Sequence, residues 1–328
     1  MKIIGHENTK EQIKIASLAA EKRNKALPHI LFSGAAGCGK TSMAKYVASH
    51  RNVKIVSAVP KNLKDYNSII KVLERLDHNN YSPMGDRLGP IRPSVLFLDE
   101  IHQLPLYGQE LLGVAMENYT IEARVPGQVH WTPYFTLIGA TTDDGKLSKP
   151  FRDRFKLRFV FEPYSEDEIV DIITAKANTS KIPITYDSVK AIARRSRGVP
   201  RLAVGFLGRT RDMAIARGEK FVGLHAVELV FKQLGIDENG FTQIEMKILK
   251  ALYESDGPLG LDNLSIVVNE APKTILTSIE PFLIQKGLIQ RSGKGRILSK
   301  KGEDYLMESG YLGKKKSKMT IEVGYERK

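Results

Sequence analysis

A glycine-rich stretch near the N-terminus has the residue types and spacing of a phosphate-binding loop. The segment GAAGCGKT at residues 34–41 matches the pattern G-x-x-x-x-G-K-[ST] at every fixed position. Glycines let backbone N–H groups curl around an anion, and the helix that follows directs its positive end at the same phosphates. The pattern therefore predicts binding of ATP or GTP. The residues that we expect to bind the nucleotide are Gly34, Gly37, Gly39, Lys40, Thr41 and Ser42.

The sequence on both sides of this loop supports the interpretation. The apolar run HILFS at 29–33 is typical of a buried strand, and KTSMAKYVAS at 40–49 places Met43, Tyr46 and Val47 on one helical face. Strand, glycine loop and helix follow in the order that the motif requires. A glycine-rich turn that matched by chance would lack this context.

Two acidic residues after another apolar run indicate hydrolysis. In VLFLDE at 95–100, Asp99 is expected to hold Mg²⁺ together with Thr41, and Glu100 to orient and polarise the attacking water. The letters DEIH also suggest a two-lobed helicase, but the chain after residue 160 shows helical patterns without a second nucleotide-fold lobe. We interpret His102 as a packing or gating residue, since no second His or Cys lies at metal-ligand spacing.

A third apolar strand and a pair of arginines follow. FTLIGATT at 135–142 ends in hydroxyl residues that we expect to lie near the γ-phosphate or the attacking water. FRDRF then offers Arg152 and Arg154. The residues alone leave two interpretations open, ordinary surface salt bridges or an arginine finger that acts on the nucleotide of a neighbouring subunit.

Composition favours a polyanionic partner in a reducing compartment. The 328 residues include 50 Lys and Arg against 37 Asp and Glu, a formal charge of +13. That balance favours nucleic acid, although a basic surface without a specific partner is the alternative. The single cysteine, Cys38, excludes intramolecular disulfides. Since no apolar run has the length of a membrane span, we expect a cytoplasmic protein without a membrane partner.

Several segments together resemble one family. IIGHENTKEQIKIASLAAEKR, GAAGCGKT, LFLDEIHQL, FTLIGATT, FRDRF, ARRSRGVPRLA, GPLGLDNL and EPFLIQKGLIQRSGKGR occur in the order of the RuvB family of Holliday-junction branch-migration AAA+ ATPases, from about residue 3 to residue 298. The resemblance implies an α/β fold: a P-loop AAA+ domain with five parallel strands, a helical lid and a C-terminal winged helix. It also implies ATP and Mg²⁺ as cofactors and rings of six subunits around duplex DNA.

The resemblance assigns roles to three further residues. It implies that Thr142 is the sensor-1 hydroxyl and that Arg154 is the finger acting on the neighbouring subunit. Arg201, in GVPR, would be the sensor-2 arginine that reaches the phosphates from the lid. The catalytic set expected from motifs and resemblance together is Lys40, Asp99, Glu100, Thr142, Arg154 and Arg201.

Three features depart from the family pattern. The chain begins almost at IIGHE, whereas in the family a preceding segment helps enclose the adenine, so we expect a different nucleotide affinity or selectivity. Residues 78–93 form an extra Pro- and Gly-rich stretch that indicates a surface loop. The hairpin between Tyr119 and Tyr134, where the family docks RuvA, is shortened. VPGQ at 125–128 has the residues of a type II turn, so a projecting ribbon is expected, with Trp131 either exposed or folded back on its own domain. We therefore expect weak or no binding to an ordinary RuvA, and branch migration through direct DNA loading or a different adaptor.

The rest of the chain is predicted to be helical and then to form a DNA-binding winged helix. Ser165 and Glu168 have the spacing of a capping box, for a helix to about Lys176. From Phe241 onward, three helical patterns precede two short strands around the turn GKG, and Pro281 should kink the third helix or limit it to its N-terminal part. The predicted DNA-binding residues on the hairpin are Arg291, Lys294 and Arg296, with a solvated basic turn as the alternative.

The predicted domains are residues 1–162 (ATPase), 163–236 (lid), 237–312 (winged helix) and 313–328 (a basic tail). The favoured function is an ATP-driven ring motor that moves Holliday junctions in recombination and repair. One rival is an ATP-switched DNA-loading protein of initiator or clamp-loader type, without translocation. The other is a DNA-binding regulator with a vestigial ATPase, against which the complete set of Lys40, Asp99 and Glu100 argues.

Overall fold

The chain forms two compact units, residues 1–226 and residues 227–328. A computed structural model describes residues 3–76, 93–122, 129–255 and 257–310 of it. The predicted boundaries at residues 162, 236 and 312 divide the chain more finely and stay predictions. The predicted surface loop at 78–93, apart from its last residue, and the predicted basic tail lie outside the described residues.

The first unit is built on the expected sheet of five parallel strands. Its strands are β1 (Ile30–Gly34), β2 (Ile55–Ala58), β3 (Ser94–Leu98), β6 (Phe135–Thr141) and β7 (Leu157–Phe161), and a separate antiparallel hairpin contains β4 (Thr120–Glu122) and β5 (Val129–Trp131). The order across the sheet is β2-β3-β6-β1-β7. Strands β3 and β6 are buried at every position, as expected of central strands covered by helices on both faces.

Helices connect the strands of this sheet, and further helices follow its last strand, β7. They are α1 (Glu7–Lys22), α2 (Lys40–His50), α3 (Tyr66–Leu73), α4 (Leu106–Asn118), α5 (Lys149–Asp153), α6 (Glu166–Thr179), α7 (Tyr186–Arg195) and α8 (Pro200–Ala216), and α9 (Leu224–Leu234) follows. Side chains alternate between the two faces of a strand, so Leu96 and Leu98 join the core on one face and Val95 and Phe97 that on the other. Among the described helices, none is both long and apolar enough to cross a lipid bilayer.

Helix α2 packs on the sheet through the residues that the sequence predicted. Met43 and Val47 are fully buried in the second of these cores, and Tyr46 packs half-buried against it. This packing fixes the start of the helix directly after the glycine loop. The phosphate-binding motif therefore lies between a buried strand and a buried helix, and the predicted context is confirmed.

The connection between α7 and α8 depends on a glycine. Gly198 has a φ of 70°, and a Cβ on it would lie 2.4 Å from the carbonyl oxygen of Tyr164. Its own carbonyl oxygen accepts a hydrogen bond from the N–H of Tyr164 at 2.8 Å. No other residue fits this close approach of two backbones. The approach sets the start of α8 at Pro200 and so places Arg201 in the first turn of that helix.

The predicted capping box opens helix α6. The hydroxyl of Ser165 accepts from the N–H of Glu168 at 3.2 Å, and the carboxylate of Glu168 accepts from the N–H of Ser165 at 2.8 Å. The helix continues to Thr179, beyond the predicted end near Lys176.

Trp131, at the end of β5 in the short hairpin, is exposed to solvent. Thr120 pairs with Trp131 and Ile121 with His130. The indole is 76% exposed, so it does not fold back onto its own domain. The predicted turn at 125–128 lies outside the described residues.

The second unit has the predicted order of three helical segments and a hairpin. Its elements are α10 (Gln243–Glu254), α11 (Leu261–Val268), α12 (Pro272–Thr274), a π-helical turn (Ile275–Ile279), α13 (Glu280–Gln285), β8 (Ile289–Ser292), β9 (Gly295–Leu298) and α14 (Lys300–Glu308). Pro281 neither ends the third segment nor limits it to its N-terminal part, so that alternative was wrong. A π turn precedes the proline, which then occupies the first turn of α13, where its missing N–H costs little.

A buried carboxylate clamps two of the three hairpin cations. Glu280 is 1% exposed. One of its oxygens accepts from the Nε of Arg291 at 2.6 Å and from the Nε of Arg296 at 3.1 Å, and the other accepts from Arg296 Nη2 at 3.0 Å. Burial disfavours the carboxylate, but the hydrogen bonds from Arg291 and Arg296 outweigh it and hold the pKa of Glu280 below its usual value. The side chain of Arg296 is only 12% exposed, whereas that of Arg291 is 51% exposed.

Glu280→Gln should destabilise the second unit, because it leaves the two arginines beside a buried neutral amide. Chemical denaturation of the full chain at pH 7 should show a loss of about 3 kcal/mol. Lys294→Gln, on the turn of the same hairpin, is the control and should change the stability by less than about 0.5 kcal/mol.

The difference in stability between the original protein and Glu280→Gln should also depend on pH. Because folding depresses the pKa of Glu280, its stabilisation is complete above the ordinary value of 4.5 and disappears as the pH falls through the lower folded value. The difference between the original protein and Glu280→Gln should therefore shrink in acid. Equal stabilities at pH 7 would contradict the clamp.

Candidate nucleotide-binding site

The phosphate loop has positive φ angles at three glycines, a backbone conformation that other residues rarely adopt. Gly34, Gly37 and Gly39 have φ values of 132°, 85° and 93°. A Cβ on Gly34 would lie 2.3 Å from the carbonyl oxygen of Phe161, and one on Gly39 would lie 2.9 Å from the hydroxyl of Tyr164. The loop is therefore closed against the end of β7 and the residues that follow it. Gly39 precedes the first turn of α2, whose free N–H groups face the loop and favour an anion.

Lys40 is folded over this loop. Its side chain is 6% exposed, and its Nζ donates to the carbonyl oxygens of Gly34 at 2.6 Å and Ala35 at 2.9 Å. Burial lowers the pKa of Lys40, while the nearby carboxylates of Glu100 and Asp99 act in the opposite direction. The ammonium is thus held against the glycine loop by backbone oxygens.

Two oxygen ligands suited to Mg²⁺ lie side by side. The hydroxyl of Thr41 donates to Asp99 Oδ2 at 2.9 Å, and Asp99 Oδ1 accepts from the N–H of Glu100 at 3.1 Å. Within the described ranges, no group of three or more His, Cys, Asp or Glu side chains forms a metal cage. One hydroxyl and one carboxylate fit the kind of Mg²⁺ site in which substrate phosphates and water complete the coordination.

The carboxylate of Glu100 is held by residues at the end of β6. Its Oε2 accepts from the hydroxyl of Thr142 at 3.1 Å and lies 3.2 Å from Nδ1 of His102. That ring nitrogen also lies 2.9 Å from the hydroxyl of Thr141. Thr142, expected beside the γ-phosphate or the water, thus contacts Glu100. Sequence reasoning missed Thr141 and the contact between His102 and Glu100, for which the letters DEIH were the available signal.

Most of the predicted nucleotide-binding residues line one cavity of about 340 Å³. Its lining is Ala36, Gly37, Gly39, Lys40, Thr41, Ser42, Asp99, Glu100, Pro200, Arg201 and Val204. Arg201 reaches this cavity from the first turn of α8. The backbone of Gly37 lies so close to it that a Cβ on Gly37 would be 2.9 Å from the Cβ of Arg201. Gly34 forms the base of the loop, and Thr142 contacts the cavity's Glu100.

A second cavity of about 280 Å³ shares three of these lining residues. Gly39, Ser42 and Pro200 belong to both cavities, and the second adds apolar side chains that include Ile4 and Ile172. Such a surface suits a flat heterocycle better than a phosphate. Sequence reasoning did not predict these apolar residues, because they are distant along the chain and carry no motif.

Arg154 lies away from the cavity of its own chain. It follows α5, and its Nη1 donates to the carbonyl oxygen of Pro150 at 2.8 Å. Its Nη2 donates to Glu117 Oε2 at 3.3 Å, and its Nε lies 3.1 Å from Glu117 Oε1. The phosphate loop, the two acids and Arg201 are therefore brought together within one chain, whereas Arg154 is not.

Comparison with known proteins identifies the family. Sequence profiles match the Holliday junction DNA helicase RuvB P-loop domain over residues 1–161, the RuvB AAA lid domain over 164–237 and the RuvB C-terminal winged helix domain over 238–307. The chain belongs to the RuvB family. The RuvB family consists of AAA+ ATPases. The expected ATPase class and the expected α/β fold with a lid and a winged helix are therefore confirmed.

Individual RuvB proteins match over almost the whole chain. The Holliday junction branch migration complex subunit RuvB of Fervidobacterium nodosum is 37% identical over 312 residues, which cover 92% of this chain and 86% of that protein. The subunit of the same name from a serotype Ia strain of Streptococcus agalactiae is 35% identical, with 92% and 90% covered. The solved structure of the Thermotoga maritima RuvB Holliday junction branch migration motor superposes with a TM-score of 0.75 at 32% identity, over 93% of this chain and 95% of that one.

Glu100→Gln should retain ATP binding and lose turnover, because an amide cannot polarise water and the change leaves Lys40 and Thr41 in place. We expect kcat to fall by on the order of 100-fold or more. Lys40→Ala should instead weaken binding itself. Titration with a fluorescent ATP analogue and phosphate release distinguish the two, and equal losses of binding and turnover in Glu100→Gln would argue against its role.

Proposed function

We propose that this protein is an ATP-hydrolysing ring motor that translocates duplex DNA and drives branch migration of Holliday junctions in recombination and repair. The observation that supports it most is the single cavity around which Lys40, Thr41, Asp99, Glu100 and Arg201 meet, in a chain of the RuvB family. Its similarity to proteins named as branch migration complex subunits extends over 92% of the chain.

The residues of the cavity divide the work of hydrolysis. Backbone N–H groups of the glycine loop and the ammonium of Lys40 bind the phosphates. Thr41 and Asp99 would hold Mg²⁺, and the ion would supply positive charge that neutralises the phosphates. Glu100 orients the attacking water, and Thr142 and His102 set the direction of its carboxylate. Arg201 links the phosphates to α8, so a change in phosphate charge changes the force on this helix of the lid.

Arg154 completes the site of a neighbouring subunit in this proposal. It lies outside the cavity of its own chain and ends a short helix with its guanidinium held in place. A cation delivered to the transferring phosphoryl group stabilises the charge that develops there. A ring of six subunits allows every Arg154 to serve the next site.

The exposed Trp131 marks the surface for an adaptor. Large exposed aromatic side chains on projecting ribbons are typical of partner surfaces. The ribbon here is short, with strands of three residues each. We propose weak or no binding to an ordinary RuvA, and direct loading or a different adaptor in its place.

A synthetic four-way junction tests the function. Purified protein with ATP should convert the junction to its duplex products without RuvA, and Glu100→Gln should not. Adding a bacterial RuvA should change the rate by less than about twofold, since an adaptor bound weakly contributes little at micromolar concentration. ATP hydrolysis that DNA does not stimulate, together with an unconverted junction, would favour the switched loader over a motor. Micromolar RuvA binding that Trp131→Ala removes would restore the usual partnership.

We propose that the hairpin of β8 and β9 contacts the DNA backbone. Lys294 is exposed on the turn, and Arg291 keeps half of its side chain in solvent while Glu280 holds its Nε. Arg296 is the third predicted DNA contact, but its side chain is mostly buried against Glu280.

Neutralising Lys294 and Arg291 together should weaken duplex binding and reduce its salt dependence. The slope of log K against log salt should fall by about one unit per lost phosphate contact, about two in all. Fluorescence anisotropy at several salt concentrations measures the slope, and ATP hydrolysis without DNA is the control. Arg296 is left unchanged so that one guanidinium still pairs with the buried Glu280 when Arg291 is replaced. An unaltered slope would return the hairpin to a solvated basic turn.

A further inference from the structure

Helix α4 packs against α5, the short helix that Arg154 follows. Three of its residues, Gln109, Gly113 and Glu117, recur every fourth position and so form one stripe along the helix. Each of the three has a contact with residues 148–154. The stripe is polar or without a side chain at these positions, in a helix whose other buried residues include Leu112 and Met116.

Glu117 contacts the guanidinium of Arg154 on two nitrogens. Oε2 accepts from Nη2 at 3.3 Å, and Oε1 lies 3.1 Å from Nε. The arginine is the less exposed partner, at 22% against 55% for the glutamate. A third nitrogen donates to the carbonyl oxygen of Pro150 at 2.8 Å. Two nitrogens of the head group therefore donate hydrogen bonds to its own chain, and Nε lies within ion-pair distance of Glu117 without a hydrogen bond of its own.

Gly113 provides the room for this head group. A Cβ at this position would lie 3.2 Å from Cζ and Nε of Arg154 and 3.3 Å from Nη1. Those distances are shorter than ordinary van der Waals contact between carbon atoms. The guanidinium thus lies directly on the backbone of α4.

Gln109 fixes the other end of the same segment. Its side chain is 5% exposed, its Nε2 donates to the carbonyl oxygen of Leu104 at 3.0 Å, and its Oε1 accepts from the N–H of Ser148 at 2.9 Å. Ser148 is the residue before α5. A buried amide with both ends paired holds its partners firmly, because breaking either bond leaves a buried polar group unpaired.

We propose that this stripe of α4 positions the arginine that each subunit supplies to its neighbour, with Glu117 as the positioning residue. The inference rests on the proposed trans role of Arg154. A long arginine side chain samples many rotamers, and a stabilising charge acts only where it meets the transferring phosphoryl group. Glu117 selects the direction of the Arg154 side chain, and Gly113 sets the distance between its guanidinium and the α4 backbone. Gln109 holds the start of α5 through the N–H of Ser148.

Glu117→Ala should lower the kcat of ATP hydrolysis by about 10- to 100-fold, the range expected when a catalytic group is displaced by about 1 Å. ATP binding and the melting temperature should stay unchanged, since the pair is largely exposed on the glutamate side. Glu110→Gln, an exposed acid on the same helix, is the matched control and should behave as the original protein. Turnover that is unchanged or raised in Glu117→Ala would overturn the inference.

Mixed assemblies separate this role from any effect on the protein's own nucleotide site. Arg154→Ala subunits give no finger but keep a complete cavity, whereas Lys40→Ala subunits have a defective cavity and a normal finger. If Glu117 acts through Arg154, then Glu117→Ala should regain activity when mixed with Lys40→Ala and not when mixed with Arg154→Ala. The reverse pattern would place Glu117 with its own cavity and overturn the inference.

The same assay distinguishes failure of the inference from failure of the trans role. If Arg154→Ala and Lys40→Ala regain activity together while Glu117→Ala alone is fully active, only the positioning role is overturned. If Arg154→Ala and Lys40→Ala never complement each other under conditions where the mixture assembles, the trans role fails and the inference fails with it.

Gly113→Ala provides an independent test. Alanine favours a helix more than glycine does, so the melting temperature should be equal or higher. Its Cβ should nevertheless displace the guanidinium by a few tenths of an ångström and lower kcat, by less than Glu117→Ala does. A loss of turnover without a loss of stability supports the inference, and unchanged turnover would count against it.

Discussion

Parallel pairing of three neighbouring strands is the constraint on which the nucleotide site depends. Strand β6 lies between β1 and β3, with Ser33 beside Thr141 and Leu98 beside Gly139. Parallel strands present all their carboxyl ends at one edge of the sheet, so the residues that follow each strand meet there. The glycine loop, the acids and Thr142 are neighbours for this reason, although Gly34 and Thr142 lie 108 positions apart along the chain (142 − 34).

Two charged groups with little exposure, one in each compact unit, have different kinds of partner. The ammonium of Lys40 is held by two carbonyl oxygens, which neutralise none of its charge and leave it available to phosphate. Glu280 is held by two guanidinium groups, which fix the hairpin on which they lie. In the first case a charge is kept for a ligand, and in the second the fold itself uses it.

The arginines illustrate how little a motif says about what a side chain contacts. Arg201, Arg154 and Arg296 are all mobile, always-charged side chains in the unfolded chain. In the fold, Arg201 lines the nucleotide cavity, Arg154 lies on a glycine of α4, and Arg296 is largely buried against Glu280. Their surroundings come from helices and strands far away in sequence.

The sequence by itself determined the fold class, the phosphate loop, the two acids and the order of elements in the winged helix. The fold class followed from the resemblance of several segments to the RuvB family, and the other features depend on local patterns: apolar runs, glycine spacing, a capping box and helical periodicity. Only the tertiary structure decided that Thr142 donates to Glu100 with His102 beside it, that Glu280 clamps the hairpin and that Pro281 follows a π turn. These contacts join residues from different elements, and their geometry depends on packing that no single stretch of sequence specifies.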